Sequence, residues 1–468
     1  MPLLRRPVGV DADLQSRTHL PSRYRGASSF LGSVLAATAV VIAGPAWLAA
    51  CLPSSGTVTP DLASSGTQLA AGSDLTPAAE GKLEFLELVV FPGADALTWH
   101  AAGLARNTGT AALAGAQVEV AFHSSGGRVL GASIVPLPLS YLPPGESSPF
   151  LAHITAGTAP SGAEARLASQ LPASTERAVV GVLAPATTVF RAADGGLGLV
   201  MRIENPHDQP VRVGEVAAIL RDEGGHLAGA AEGVAGVTGI SPGGQTTWLL
   251  MGEAAAGALP ALAFTDAGLL PSLPDPQLRL VAPLALPTTD QGQGFALGEI
   301  INEGETLRWA QGVVTIQIDG EVATVALLAP PMPLRPAERL AFALTDFPGL
   351  TPLPANATAS LEIDPLASEP AGGNVALLSL EIIQLEQIGS SLFARGTIEN
   401  RTGSEVLRPS VLAAVHATDG RLLSAGWATP QGRLASSVTV EFRFQVPLPA
   451  GFDIEAAEFD WRALGLVP

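Results

Sequence analysis

Cysteine occurs once in the 468 residues, at Cys51, and lysine once, at Lys82. A single cysteine excludes intrachain disulfides, so any folded part is held by its cores. Charged residues make up 15% of the chain against 47% hydrophobic ones, which excludes an acidic disordered chain and leaves few side chains for surface chemistry. The seven histidines, at 19, 100, 123, 153, 207, 226 and 416, never fall as a close pair along one helix or strand. Without cysteine partners they predict no zinc site. No P-loop or His-Glu-x-x-His is present. The glycines at Gly292, Gly294 and Gly298 have the wrong spacing for a dinucleotide loop and lead into a predicted strand, where phosphate binding needs a helix N-terminus. Loop acids such as Asp208, Asp222, Glu223 and Asp319 lack the run of oxygens that calcium requires. The expectation is no catalytic residue, no metal and no cofactor, hence a protein that is not an enzyme.

What charge there is has one sign. The formal net charge is -18, and from Cys51 onward 20 basic side chains face 41 acidic ones. Such a surface repels nucleic acid and favours a cationic partner, besides keeping an apolar chain soluble.

The N-terminus supplies the most specific motif. Arg5, Arg6, Arg17, Arg23 and Arg25 precede an uncharged stretch from Gly26 to Ala50 that becomes mostly Ala, Val, Leu and Ile. That is a positive n-region followed by an apolar h-region. It ends Leu48-Ala49-Ala50-Cys51, which resembles the lipobox of bacterial lipoproteins, in which the cysteine receives diacylglycerol and becomes the new N-terminus. The alternative is an uncleaved transmembrane helix, against which stand Pro45 and the lipobox itself. Either way the arginines keep the front in the cytoplasm and the bulk outside. Residues 52–80, rich in Ser, Thr, Gly, Pro and Ala, predict a flexible tether.

The rest of the chain repeats. An apolar strand ending in asparagine occurs at Gly103-Leu-Ala-Arg-Asn107, Val200-Met-Arg-Ile-Glu-Asn205, Gly298-Glu-Ile-Ile-Asn302 and Gly396-Thr-Ile-Glu-Asn400, at spacings of 98, 97 and 98 residues. A period of this length marks a duplicated domain. About 20 residues after each asparagine comes a hairpin signal: Gly126-Gly127, Gly224-Gly225, Asp319-Gly320 and Asp419-Gly420. Leu142-Pro-Pro-Gly145 and Ile240-Ser-Pro-Gly243 follow, with Phe150 or Trp248 behind them; Leu334-Arg-Pro336 and Pro430-Gln-Gly432, before Phe342 and Phe442, are taken as their counterparts. Short strands between such turns, with period-2 alternation as in Val438-Thr-Val-Glu-Phe-Arg-Phe444, predict an all-β sandwich in each repeat. The asparagines are assigned to structure, as caps of the turns they enter.

A strand ending Gly-x-φ-x-Asn, an apolar strand running into a glycine turn, then Leu-x-Pro-Gly and an aromatic, is similar to the FxLYD domain, an immunoglobulin-like sandwich of bacterial envelope lipoproteins. Val118-Glu-Val-Ala-Phe-His-Ser-Ser-Gly126 and Ala413-Ala-Val-His-Ala-Thr-Asp-Gly420 stand where that family has its Leu-Tyr-Asp stretch, without the Tyr-Asp pair. The resemblance implies a fold and an extracytoplasmic location, and no catalytic residues.

The fold expected is all-β: four tandem immunoglobulin-like antiparallel β-sandwiches at 81–174, 175–273, 274–368 and 372–468, laid end to end, behind a signal (1–50) and a lipidated cysteine with linker (51–80). The function expected is a non-enzymatic, membrane-anchored, extracytoplasmic structural or interaction protein of the cell envelope, with an envelope protein or glycan as partner and no nucleic acid. The alternatives are a glycan- or peptide-binding surface lipoprotein, for which Trp309 and Trp427 are the residues to test, and the same ectodomain on an uncleaved helix.

Overall fold

Alternating residues that point to opposite faces make strands, and nearly every alternating run in this sequence has become one. The computed structural model describes residues 82–467 apart from 96, 173–179, 185, 192–195, 346, 348–351, 369 and 431. Cys51 and its lipobox residues Leu48, Ala49 and Ala50 lie outside the described residues, as do the signal and the linker. No helix among the described residues is long and apolar enough to cross a membrane.

The fold is all-β and every strand pairing is antiparallel. In the first repeat, β1 (Leu83–Pro92), β2 (Thr98–Asn107) and β6 (Ser147–Thr155) form one sheet in the order β1-β2-β6. The facing sheet is made of β3 (Leu113–His123), with β4 (Val129–Pro136), the short β5 (Tyr141–Leu142) and β7 (Gly162–Pro172) all paired to it. Ala101, Ala105, Val118, Val120, Phe122 and Phe150 close the core between them.

The same plan recurs. The second repeat comprises β8 (Ala186–Arg191), β9 (Leu197–Glu204), β10 (Val211–Arg221), β11 (Leu227–Ala235), β12 (Gly239–Ile240), β13 (Gln245–Ala254) and β14 (Leu259–Leu269). Here β11 also pairs with β13, joining the two layers into one continuous sheet. The third has β15 (Leu278–Leu280), β16 (Ala296–Asn302) and β19 (Arg339–Leu344) in one sheet. Its other sheet is β17 (Gly312–Ile318), β18 (Glu321–Leu328) and β20 (Ala357–Ile363). In the fourth, β22 (Ser379–Ile388), β23 (Ser391–Glu399) and β27 (Thr439–Pro447) face β24 (Val406–Ala417), β25 (Leu422–Ala428), β26 (Arg433–Leu434) and β28 (Ala457–Val467), with β21 (Asn374–Leu377) added to the edge of β28.

The glycine four places before the repeated asparagine has a packing reason. Gly103 pairs with Phe150, Gly298 with Phe342 and Gly396 with Phe442 on the neighbouring strand. The aromatic ring lies over the bare backbone: a Cβ on Gly103 would sit 2.0 Å from Phe150 Cζ. A fully buried phenylalanine contributes about 1.5–3 kcal/mol, and only glycine leaves it that space. The second repeat has Met201 at this place, and its Trp248 lies over Gly233 and Gly236 instead.

One landmark of the fourth repeat moves. The left-handed residue that closes the loop after the short strand is Gly145 in the first copy, Gly243 in the second, Ala337 in the third (φ 59°) and Ser437 in the fourth (φ 62°). Both Ala337 N and Ser437 N donate to the carbonyl of their repeat's asparagine, at 2.8 and 2.7 Å, as Gly145 N does at 2.7 Å. The counterpart of Pro-Pro-Gly145 is therefore Ser436-Ser437 and not Pro430-Gln-Gly432, which precedes β26.

Candidate functional site

The chemistry with the most repetition is the asparagine pin. Asn107, Asn205, Asn302 and Asn400 are buried with essentially no exposure. Asn302 Nδ2 donates to Thr306 O at 2.8 Å and Leu334 O at 2.9 Å, and its Oδ1 accepts from Gly304 N at 2.9 Å. Asn107 does the same with Ala111 O, Leu142 O and Gly109 N, and Asn400 with Ser404 O, Leu434 O and Thr402 N. Asn205 holds Gln209 O, Ile240 O and His207 N. The side chain thus caps the following turn, as the sequence predicts, and also ties it to the short strand some 35 residues on. Every polar atom of the amide is used, which makes these residues structural.

The repeats are not laid end to end. In the interior junctions, one strand of each later repeat lies across the outer face of the sheet before it: β11 crosses β1, β2 and β6; β18 crosses β8, β9 and β13; β25 crosses β16 and β19. At the first junction Ala102, Phe91 and Ala230 bury one another, with Leu104 against Ile219 and Leu227. Arg221 Nη1 reaches back to Glu87 Oε2 at 2.9 Å, and this hydrogen bond holds the Glu87 carboxyl below its usual range. At the second, Val200, Val237 and Leu249 meet Val313 and Val325, and Thr188 Oγ1 donates to Val322 O at 2.8 Å. At the third, Ala341 meets Ala414 and Ala425, and Arg462 Nη1 donates to Glu338 Oε1 at 2.9 Å. The sequence signal for this was the continuous apolar runs Val216–Leu220 and Val411–Val415, which predict strands buried on both faces.

A cleft of about 260 Å³ lies beside the second junction, lined by Gly239, Ser241, Leu273, Pro274, Pro276, Glu362, Ile363 and Pro365. Next to this lining, Asp364 accepts from Thr238 N and Thr238 Oγ1, both at 2.8 Å, and from Leu366 N at 3.0 Å. Glu362 accepts from Thr246 Oγ1 at 3.3 Å. Part of the Glu362 side chain stays in solvent, while loss of water around its carboxyl, with Asp364 as a second negative group, pushes it up to about 7. The cleft is smaller than the ~300–1,000 Å³ of typical small-molecule sites, and the neighbouring Asp364 is engaged by Thr238 of the second repeat and by the turn of its own.

Folding brings together two histidines that sequence spacing kept apart. His100 on β2 and His153 on β6 are directly paired, with ring centroids 6.2 Å apart. His100 stacks on Phe91 at 5.6 Å and is buried, and this loss of water lowers its pKa, with His153 as a smaller cause. Only a strand register, not a motif, could have revealed this pair. Among the described residues, no group of three or more His, Cys, Asp or Glu is placed to hold a metal. The loop acid Asp222 caps its own turn through His226 N at 2.9 Å, and Asp319 accepts from Asn356 Nδ2 at 2.6 Å. Of the two tryptophans to test for ligand stacking, Trp427 packs against the core of the third repeat, and Arg408 covers Trp309 at 5.4 Å from its ring.

No family model matches the chain, and no curated protein does. Among solved structures, the native conformation of E. coli alpha-2-macroglobulin, from single-particle cryo-EM, is similar over 80% of this chain at 10% identity and a TM-score of 0.12. The match takes in 27% of that protein's chain, so this chain spans about a quarter of its length.

Proposed function

We propose that the protein is a non-enzymatic, membrane-anchored structural and interaction protein on the extracytoplasmic face of a bacterial envelope. In this reading Cys51 is lipidated after cleavage behind Leu48-Ala49-Ala50, and kinship with FxLYD-type envelope lipoproteins belongs to the same proposal. The single observation that supports the structural role is the repeated junction. Three times the chain spends apolar strand faces and a cross-repeat hydrogen bond on fixing one sandwich against the next. A string of independent binding modules needs only linkers, and inter-domain contacts of this kind are what restrain relative motion. The anchor is supported by the arginine-rich start, the apolar run and the lipobox.

Intact mass and membrane partitioning in a bacterial host, wild type beside Cys51→Ala, test the anchor. The expected wild-type chain starts at residue 51, carries added acyl mass and sediments with membranes, and the variant does neither. Full-length mass with unchanged membrane retention in Cys51→Ala would replace the lipid by an uncleaved helix.

A further inference from the structure

The strand that crosses the preceding sheet does so in one register. Counted from the hairpin glycine at Gly225, Gly320 or Gly420, the residue two places on is Leu227, Val322 or Leu422, and five places on it is Ala230, Val325 or Ala425. Each of these packs into its junction. Seven places on stand Leu327 and Trp427, also packed, with Glu232 the polar exception. The first repeat has the same pattern from Gly127: Val129, Ala132 and Ile134 on β4. There all three are exposed, Val129 by 53% and Ile134 by 59%.

The receiving face has its own register. Five places before the pinned asparagine, with its partner on the adjacent strand, stand Ala102 with Leu151, Val200 with Leu249, and Leu297 with Ala343. All three repeats that carry these pairs receive a following strand. The fourth repeat has Arg395 with Arg443, and Arg395 Nη2 pairs with Glu441 Oε2 at 2.9 Å. An apolar strand laid over this pair would strip water from two guanidinium groups and offer them no partner in return.

We infer that β4 is an unpartnered docking strand whose partner is the outer sheet face of a different β-sandwich protein, one with small or aliphatic residues at the two central positions. A second copy of this chain is not that partner, because among the described residues the receiving face left uncovered carries Arg395 and Arg443. The inference needs only the fold, so it stands apart from the lipid anchor and fails separately from it.

The probe is the chain itself with a receiving face restored. Full-length Arg395→Val/Arg443→Leu, which copies the Val200/Leu249 pair, offers such a face to β4 of another molecule. A face-to-face contact that is heterologous propagates head to tail. In sedimentation velocity in mild detergent, wild type stays monomeric while the variant's weight-average mass rises at least about twofold between about 1 and 100 µM. Adding Ile134→Glu returns the variant to monomer. Should the first variant misfold by circular dichroism, Arg395→Ala/Arg443→Ala mixed with wild type replaces it. A folded variant that stays monomeric, or associates regardless of Ile134→Glu, overturns the docking strand. Association only after residues 1–81 are removed means the chain's own N-terminal segment covers β4, and self-association of wild type that Ile134→Glu abolishes makes a second copy the occupant; each overturns the partner.

Discussion

Replacing Asn302 by alanine tests whether the pin holds its own repeat together. The side chain makes three hydrogen bonds, to Thr306 O, Leu334 O and from Gly304 N, in a site with no exposure. Each contributes a net ~1 kcal/mol, and removing one partner leaves buried groups unpaired at ~1–3 kcal/mol each. Relaxation of the turn recovers some of this, so the expected loss is about 3–4 kcal/mol, large against the ~5–15 kcal/mol of an ordinary domain. Aspartate separates hydrogen bonding from volume: its carboxylate still accepts from Gly304 N but turns an oxygen toward the Thr306 and Leu334 carbonyls. At pH 7, Asn302→Asp is therefore expected to cost at least as much as alanine, with recovery as acid protonates the carboxyl. Because a global melt averages over all four sandwiches, the readout for this single repeat is native-state hydrogen exchange at the Ala337 amide, whose acceptor is the Asn302 backbone carbonyl. A loss under ~1 kcal/mol, or an aspartate variant as stable as wild type at pH 7, would refute the pin.

Ala337 and Ser437 hold left-handed backbone that costs a non-glycine residue ~1–2 kcal/mol, so Ala337→Gly and Ser437→Gly should each stabilise their repeat by up to about 1 kcal/mol after the unfolded chain's entropy is counted; a denaturation midpoint that falls instead would contradict this. Two groups set opposite pH slopes. His100 has a folded pKa below its unfolded 6.5, so the unfolded chain binds more protons, and stability present above 6.5 is lost as pH falls through the depressed value; His100→Gln should remove that loss in thermal melts between pH 8 and 5. Glu362, raised to about 7 from 4.5, is the reverse: the folded chain holds the extra proton, stability falls as pH rises from about 4.5 to 7, and Glu362→Gln should flatten that segment.

Local features of the fold were legible because local chemistry decides them. Gly127, Gly225, Gly320 and Gly420 all take the positive φ that a hairpin needs, and the first of these turns joins β3 to β4. The asparagines could be assigned to turns, but their bonds to Leu142 O, Ile240 O, Leu334 O and Leu434 O span some 35 residues and carry no mark in the turn itself. Period-2 alternation shows which residues face a sandwich's own core, and it is silent about a second buried face. That face shows only as lost alternation, in Val-Ala-Ala-Ile-Leu before Arg221 and Val-Leu-Ala-Ala-Val before His416, and small residues such as Ala230 and Ala425 mark no contact until the register is known. The fourth loop was misplaced because serine at 437 does what glycine does elsewhere. The cleft at Glu362 and the His100–His153 pair join segments distant in sequence, so neither left a motif.

The shared register of the crossing strands bears on how such a chain evolves. Each of the first three units brings both halves of the contact, a strand with the crossing register and a face that is crossed, so a tandem duplication among them arrives with its joint already made. Gene slippage in whole units of about 98 residues can lengthen or shorten the assembly without new surface having to arise. The fourth unit differs, since with Arg395 and Arg443 on that face it would break the series if moved inward.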